Sequence, residues 1–322
     1  MKFRTEIEKF ELKSKIDYGT KIFAVGSCFA QNIAARLTAA KFQVTQCPVG
    51  ILFNPASITK ALTAFAQCST SYDELIVERG GGFVSLECHS DLMQPTRQRA
   101  IDCYNNAIAA GHKALSEAQC VIITLGTAWV YEYNATGDVV ANCHKLPQNL
   151  FTRRRMSVEE IVGEFKPLLE GILSDKRVIF TVSPMRHIAD GLAENSLSKS
   201  TLRVAIAELC ERFDNVDYFP AYEIVTDDLR DYRFYADDLV HPSNQAIEYI
   251  WERFVSGALT ADAQQLLPKV EKIVAAAAHR PFNPQSEEYK KFCTRYIADA
   301  KALSLIDFSS ECALFEQYSE KN

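Results

Sequence analysis

The chain has 322 residues, of which 35 are Lys or Arg and 41 are Asp or Glu, so its net charge is −6 at pH 7. Because binding to a phosphate backbone needs a basic face, this balance argues against a nucleic-acid partner. The hydrophobic fraction of 48% is high enough for a buried core and excludes global disorder. No apolar run reaches the length of about 18 residues that crosses a bilayer, and no secretory signal is recognisable. We therefore expect a cytoplasmic globular protein without a membrane partner.

Five apolar segments rich in β-branched residues predict strands. In chain order they are residues 21–25, 42–49, 120–130, 177–182 and 216–219. Helical periodicity lies between and after them, over residues 97–117, 158–173, 199–213 and 246–254. Strands that alternate with helices predict a parallel sheet with right-handed crossovers and helices on both faces.

Residues 130–155 interrupt this alternation and are predicted to be an inserted hairpin, with paired strands over 130–133 and 139–142. The basic run at 153–155 is predicted to be a solvated turn before the next helix. The insertion lies close to the predicted carboxyl end of a strand, so we expect it to fold over the site as a lid.

Beyond about residue 256 the pattern is helical and contains no further strand. We expect one α/β domain over residues 1–255. The remaining residues, 256–322, are predicted to form a helical extension that packs against this domain.

Ten cysteines are spread along the chain, and no two are spaced as Cys-x-x-Cys. A zinc ribbon or a thioredoxin-type redox site therefore has no support, and we expect reduced, mostly buried thiols. No carboxylate–histidine group has metal-ligand spacing either. We therefore predict neither a metal nor a cofactor.

The residues that follow the predicted strands are the candidate site residues, because ligands of open parallel sheets bind at the carboxyl ends of strands. These residues are Gly26, Ser27 and Cys28 after the first strand, Gly126 and Thr127 after the third, and Arg186 and His187 after the fourth.

Gly26, Ser27 and Cys28 form a predicted strand–turn–helix junction. The glycine allows a tight turn, and the next residues lie at a helix N-terminus, where free N–H groups favour negative charge. A nucleophile there gains a stabilised anionic form and amides that can hold an oxyanion. The alternative, given equal weight, is that Ser27 is only a helix cap and that Cys28 only packs in the core.

Asp238 precedes His241 by three residues in a predicted loop. A carboxylate at this spacing orients the imidazole through one ring nitrogen, so that the other can act as a general base. The alternative is a solvated loop with an exposed histidine.

These features together resemble the GSCFA family, named for the string at Gly26–Ala30. The resemblance covers most of residues 1–255 and includes the strings NPASI, LGTAW, NCHK, TVSPMRH, LSKSTLR, LRDYRFY and DDLVHPS. The family looks like a branch of the SGNH (GDSL-like) hydrolase superfamily. This resemblance implies a three-layer α/β/α sandwich with a flavodoxin-like parallel sheet of about five strands, and a Ser-His-Asp esterase mechanism.

Two departures from the superfamily pattern stand out. Its first block reads Gly-Asp-Ser, whereas this chain has Gly26-Ser27-Cys28, which leaves open whether Ser27 or Cys28 attacks. Its third block reads Gly-x-Asn-Asp, whereas Ala128 stands here in place of the asparagine that donates to the oxyanion. Loss of one such donor costs on the order of 3–4 kcal/mol of transition-state stabilisation. The candidates to compensate or to bind substrate are Thr127, Asn142, His144, Lys145, Arg186 and His187.

The resemblance thus implies a hydrolase or acyltransferase that acts on an acyl ester of a small molecule or carbohydrate. Ser27 or Cys28 would attack, His241 would take the proton, and Asp238 would orient His241. Amides near the nucleophile and Gly126 would hold the oxyanion. The alternative is a binding or partner-docking module that retains the fold without catalysis.

Overall fold

The computed structural model describes residues 4–69 and 75–319. The elements in chain order are β1 (Lys21–Gly26), α1 (Cys28–Ala39), β2 (Gln43–Gln46), α2 (Pro55–Gln67), β3 (Ile76–Arg79), β4 (Gly82–Ser85), α3 (Arg97–Glu117), β5 (Cys120–Leu125), β6 (Trp129–Tyr133), β7 (Val139–Val140), β8 (Phe151–Arg155), α4 (Val158–Glu170), β9 (Arg177–Val182), α5 (Leu192–Arg212), β10 (Val216–Tyr218), α6 (Ala221–Glu223), α7 (Asn244–Ala258), α8 (Ala261–Ala278), α9 (Glu287–Ala302) and α10 (Ser309–Glu316).

The central sheet has five parallel strands in the order β2-β1-β5-β9-β10. This is the flavodoxin-like order, with the first strand next to the middle of the sheet. All six residues of β5 are buried, because helices cover both faces of the sheet. The predicted α/β fold with a five-stranded parallel sheet is confirmed.

The two faces of the sheet bury separate apolar clusters. Alternation along β1 sends Ile22 into one cluster and Phe23 into the other. The first cluster contains side chains of α1, α7 and the C-terminal helices α8–α10, and the second contains those of α2–α5. The fold therefore has three layers, and the C-terminal helices extend the outer layer on one face. Among the described residues, no helix is both long and apolar enough to cross a membrane.

The apolar run at residues 120–130 is not one strand, contrary to the prediction. The strand ends at Leu125 because the N–H groups of Gly126 and Thr127 both donate to the Phe53 carbonyl instead of continuing the ladder, at 2.8 and 3.0 Å. The chain then enters a separate antiparallel sheet in the order β7-β6-β8. The apolar character alone could not reveal this change of partner.

The basic run at residues 153–155 is not a solvated turn, so that prediction is wrong. It lies in β8, paired with β6, and each of its side chains has a partner. The Arg153 guanidinium stacks over the Trp129 ring at 3.8 Å, and Arg154 pairs with Glu132 at 2.6 Å. Arg155 donates to a threonine of α5 at 2.7 Å.

Other boundaries differ because caps and short turns set them. Helix α5 begins at Leu192, seven residues before the predicted start, and β2 spans only four residues. Helix α2, which the periodicity did not predict, begins after Asn54, whose side chain accepts the Ser57 N–H at 2.8 Å. The hairpin of β3 and β4 was also not predicted.

Candidate functional site

The loops that follow β1, β5 and β9 are joined at one rim of the sheet. The Ser27 N–H donates to the Thr124 carbonyl at 3.0 Å, which ties the turn after β1 to β5. The Ser183 N–H donates to the Leu125 carbonyl at 2.8 Å, which ties the loop after β9 to the end of β5. Polar residues from three strand ends therefore meet, as the prediction from a parallel sheet requires.

Gly26 is required where the chain leaves β1. Its φ is +132°, and a Cβ at this position would lie 2.1 Å from the Thr124 carbonyl oxygen. No other residue type could adopt this conformation so close to the neighbouring strand. The turn that follows starts α1 at Cys28.

The two candidate nucleophiles have opposite surroundings. Ser27 is fully buried, and its Oγ has no hydrogen-bond partner among the described residues. It also does not cap α1 through its side chain. Cys28 is partly exposed, and its Sγ lies 3.2 Å from Sδ of Met185. Of the two side chains, only the thiol retains some solvent-exposed surface.

The Cys28 thiol is held in its neutral form. Burial raises its pKa, while the N–H groups of Phe29 and of Cys28 itself and the charge of Lys199 oppose this effect by lowering it. The opposing groups are those expected at a helix N-terminus, but desolvation is the larger effect. A reaction at neutral pH would therefore need a base to remove the thiol proton.

A fully buried lysine, Lys199 of α5, lies beneath this rim. Its Nζ donates to the carbonyls of Gly126 and Ser183, at 2.6 and 2.7 Å, so one ammonium holds the ends of β5 and β9 together. Burial lowers its pKa to about 7, and the nearby Cys28 thiolate acts in the opposite direction.

Asp238 and His241 form an oriented pair on the loop before α7. Oδ2 of Asp238 lies 2.6 Å from Nδ1 of His241, and its Oδ1 accepts the backbone N–H groups of Val240 and His241 at 2.9 and 3.0 Å. These bonds lower the pKa of Asp238 to about 2. The Arg186 N–H donates to the Val240 carbonyl at 3.2 Å, which joins this loop to the one after β9.

His187 is the second histidine of the rim. Its Nε2 is buried without a hydrogen-bond partner among the described residues, and its backbone N–H donates to Oδ1 of Asn195 at 2.9 Å. Burial lowers its pKa to about 4, the charges of Lys199 and His241 lower it further, and the Gly126 carbonyl acts in the opposite direction. The imidazole is therefore neutral at pH 7.

Three loops converge on Gly126. A Cβ on this residue would lie 3.0 Å from the Phe53 carbonyl oxygen, 3.3 Å from Cβ of Ser27 and 3.5 Å from Nε2 of His187. Because the N–H groups of Gly126 and Thr127 already donate to Phe53, neither is available to an oxyanion in this conformation. The predicted anion-binding role of Gly126 thus lacks a free donor.

The segment that contains Thr127 and Ala128 is fixed by α5. Oγ of Ser198 accepts the Ala128 N–H at 2.8 Å and lies 3.0 Å from Oγ1 of Thr127. That threonine oxygen also accepts the Trp129 N–H at 3.1 Å. The Thr127 hydroxyl is therefore engaged in holding this turn, although the residue lines the cleft described below.

The predicted site residues of the insertion differ in burial and in contacts. His144 is buried, and its ring contacts Oγ of Ser90 and the Ser85 carbonyl, each at 2.8 Å, so it anchors the insertion. Oδ1 of Asn142 accepts the His144 N–H at 2.8 Å. Lys145 is exposed, and both it and Asn142 line the cleft.

A cleft of about 870 Å³ separates the insertion from the loops after β5 and β9. Its aromatic lining includes Trp129, Tyr131 and Phe151, and its polar lining includes Arg186 and His187. Nε1 of Trp129 is buried without a hydrogen-bond partner among the described residues. A cavity of this size and composition suits a small molecule.

Met185 connects this cleft to the nucleophile. It lines the cleft and contacts Cys28, so the thiol lies behind the methionine side chain. Within the described ranges, no hydrogen bond joins Sγ of Cys28 to His187 or His241. The three groups share a rim but are not in contact.

Sequence reasoning missed Ser198 and Lys199, although their string LSKSTLR was noted. The signal was present in the spacing: residues 195, 198, 199, 202, 205, 206 and 209 form one buried stripe of α5. The polar members of this stripe come first and face the strand ends. A polar residue at an apolar-face position of a helix thus indicates a contact with the site loops.

The described residues contain no group of three or more His, Cys, Asp or Glu side chains that could hold a metal ion. All ten cysteines are free thiols.

Two family models match the chain. The model described as GSCFA family matches residues 21–254, and the model described as GSCFA domain protein, C-terminal domain, matches residues 270–321. Comparison with curated proteins and with solved structures gave no match.

Proposed function

The chain belongs to the GSCFA family, and we propose that it is an SGNH-type hydrolase or acyltransferase that acts on an acyl ester, with Cys28 as its nucleophile. The observation that carries this proposal is the Asp238–His241 hydrogen bond of 2.6 Å. It orients a histidine at the rim where a thiol begins a helix. A base held by a carboxylate and placed near a nucleophile is the general arrangement of covalent acyl transfer.

The reaction begins with proton transfer from Sγ of Cys28 to Nε2 of His241. The sulfur attacks the carbonyl carbon of the ester, and the tetrahedral intermediate collapses to a thioester and an alkoxide, which takes the proton from His241. Water, or a second alcohol in the transferase case, then attacks the thioester with His241 again acting as the base. The released thiolate recovers the proton, so the enzyme returns to its starting form.

His187 is our candidate for the oxyanion donor that Ala128 cannot supply. Its imidazole is neutral, and the tautomer that carries a proton on Nε2 offers a donor for which the Gly126 carbonyl is the competing acceptor. A neutral donor is suitable because it stabilises the oxyanion without protonating it. Nε2 of His187 and Cβ of Ser27 both lie close to Gly126, and Ser27 immediately precedes Cys28.

The acyl group belongs to a small molecule, and carbohydrate O-acyl esters are the class that the SGNH resemblance suggests. The aromatic lining of the cleft and the free Nε1 of Trp129 support a ligand with both flat apolar faces and hydrogen-bond acceptors.

Hydrolysis of 4-nitrophenyl acetate by the wild type and by Cys28→Ala, Ser27→Ala and His241→Ala tests the chemistry. Turnover lost in Cys28→Ala and His241→Ala but kept in Ser27→Ala is the expected result. His89→Ala is the matched control, because His89 also pairs with a carboxylate, Asp91, at 3.1 Å. Full turnover in His241→Ala would overturn the mechanism.

Covalent labelling separates this enzyme from a serine enzyme and from a non-catalytic binding module. Iodoacetamide should modify Cys28 in a folded sample, with exposed Cys68 as the internal reference, and a fluorophosphonate should not modify Ser27. Fluorophosphonate on Ser27 would assign the serine instead. Saturable ligand binding at the cleft together with no ester turnover would favour the binding module.

A further inference from the structure

We propose that the ester bound in the cleft carries a second, negatively charged group, a carboxylate, which Arg186 and Lys145 bind from opposite walls. The inference rests on the proposed function for the position of the ester, but it concerns the cleft and not the nucleophile. It uses two features that the proposed chemistry does not explain: an unpaired stacked arginine and a strained turn that presents a lysine.

Arg186 forms no ion pair with a carboxylate in the part of the chain that the structure describes. Its guanidinium lies 4.1 Å from the centroid of the Tyr235 ring and 4.9 Å from that of Tyr232. Its backbone N–H is fixed by the Val240 carbonyl. The Tyr232 and Tyr235 hydroxyls hydrogen-bond to the guanidinium and their rings stack on it, but neutral tyrosines do not cancel its charge, so its remaining N–H groups can bind a carboxylate.

Lys145 reaches the cleft from the opposite wall through an unusual turn. His144 and Lys145 have φ values of +48° and +56°, a conformation that residues other than glycine rarely adopt. The buried ring of His144 is anchored by Ser90 and Ser85, which forces this turn to persist. Strain of this kind is kept where the surrounding structure over-determines it, commonly at ligand sites.

The charges of the cleft do not balance. Asp190 is the acidic residue of the cleft lining, and it forms an ion pair with Arg153, whose guanidinium stacks on Trp129. The charge of Asp190 is therefore already balanced by Arg153. Neither Arg186 nor Lys145 forms an ion pair with a carboxylate in residues 4–69 or 75–319. In a chain with a net charge of −6, a cleft with two uncompensated cations selects an anion.

The test compares two esters with the same leaving group, 4-nitrophenyl acetate and the 4-nitrophenyl monoester of succinic acid. We expect the wild type to prefer the succinate ester in kcat/KM, and the preference to fall about tenfold in Arg186→Gln and in Lys145→Gln, since each loses one charged contact. Lys113→Gln, an exposed lysine on α3, is the matched control. An unchanged ratio in both cleft variants would overturn the inference.

A binding measurement keeps this inference separate from the proposed chemistry. N-succinyl-4-nitroaniline and its neutral counterpart 4-nitroacetanilide are amides, and quenching of tryptophan fluorescence in Cys28→Ala reports their binding beside Trp129. Tighter binding of the anionic amide, weakened by Arg186→Gln, supports the inference even if no ester is hydrolysed. Equal binding of the two amides contradicts it even if the acetate ester is a substrate.

Discussion

The sulfur atom of Met185 lies 3.2 Å from the sulfur atom of Cys28. Met185 comes from the loop after β9 and lines the cleft, so a methionine side chain stands between the thiol and a bound ligand. Because methionine is unbranched and has several rotatable bonds, it can shift without moving the backbone. The contact therefore covers the Cys28 thiol on the side of the cleft.

Truncation of this cover should expose the thiol. We predict that Met185→Ala raises the rate of Cys28 alkylation by iodoacetamide several-fold, measured by peptide mapping against the exposed Cys68. The side chain is buried, so the variant should also lose about 2 kcal/mol of unfolding free energy. Met156→Ala removes a comparably buried methionine elsewhere and is the control for stability alone. Equal alkylation rates in Met185→Ala and wild type would show that Met185 does not limit access.

Ser27→Ala should leave the protein as stable as the wild type or make it more stable. The Ser27 hydroxyl is fully buried and has no hydrogen-bond partner among the described residues. No hydrogen bond therefore compensates its desolvation, and removing the hydroxyl removes that unfavourable contribution to the free energy of folding. Thermal unfolding checks the prediction. Ser57→Ala removes another buried hydroxyl without a partner and should behave in the same way. A large loss of stability in Ser27→Ala would mean that the hydroxyl has a hydrogen-bond partner in the folded protein.

The strands, their parallel pairing and the strand-end loops could be predicted from the sequence, because apolar runs and their alternation with helices determine them. The choice between Ser27 and Cys28 could not be predicted. The choice depends on which of these two adjacent side chains turns inward at the start of α1. The Gly26 turn is compatible with either one turned inward. His144 and Lys145 are likewise adjacent, yet one anchors the insertion and the other lines the cleft.

Contacts across the layers were the least predictable. Nothing in the apolar run at 120–130 indicates that the Phe53 carbonyl ends β5, because this partner is about 70 positions earlier in the chain. The role of Lys199 required the same kind of information, since a lysine is ordinarily exposed. Local pattern therefore predicted which loops meet at the rim, and long-range packing decided which side chains face it.

Asp238→Asn should impair turnover of the nitrophenyl ester strongly. The carboxylate contacts the imidazole and two backbone N–H groups of its loop, and its amide replacement cannot support a protonated His241. We expect kcat/KM to fall by about 100-fold or more. Because the pKa of Asp238 is lowered to about 2, the carboxylate stays ionised from pH 4 upward, and loss of activity in that range must come from another group.

Asp237→Asn is the matched control for this variant. Asp237 is adjacent in sequence but makes no hydrogen bond to His241, so its loss should change kcat/KM little. If the two variants lose activity equally, the effect is due to the charge of the loop and not to orientation of the imidazole.

Lys199 should make folding stability rise with pH just above neutrality. Its pKa is about 7 in the folded chain and about 10.4 when unfolded, so between these values the unfolded chain binds one more proton. Unfolding free energy therefore rises with pH in this window, and the rise is absent below pH 7, where both forms are charged. From pH 7 to 8.5 the contribution is about 1.5 kcal/mol.

Lys199→Met removes this titration, so the stability advantage of the wild type over the variant should widen by that amount between pH 7 and 8.5. Urea unfolding at several pH values measures it, and the range ends at pH 8.5 because buried thiols with raised pKa values act in the opposite direction above it. Ser198→Ala is the control, since it loses contacts to the same loop without losing a titrating group. A constant difference between wild type and Lys199→Met across this range would show that the buried amine does not change its protonation there, and that it serves only to hold the carbonyls of Gly126 and Ser183.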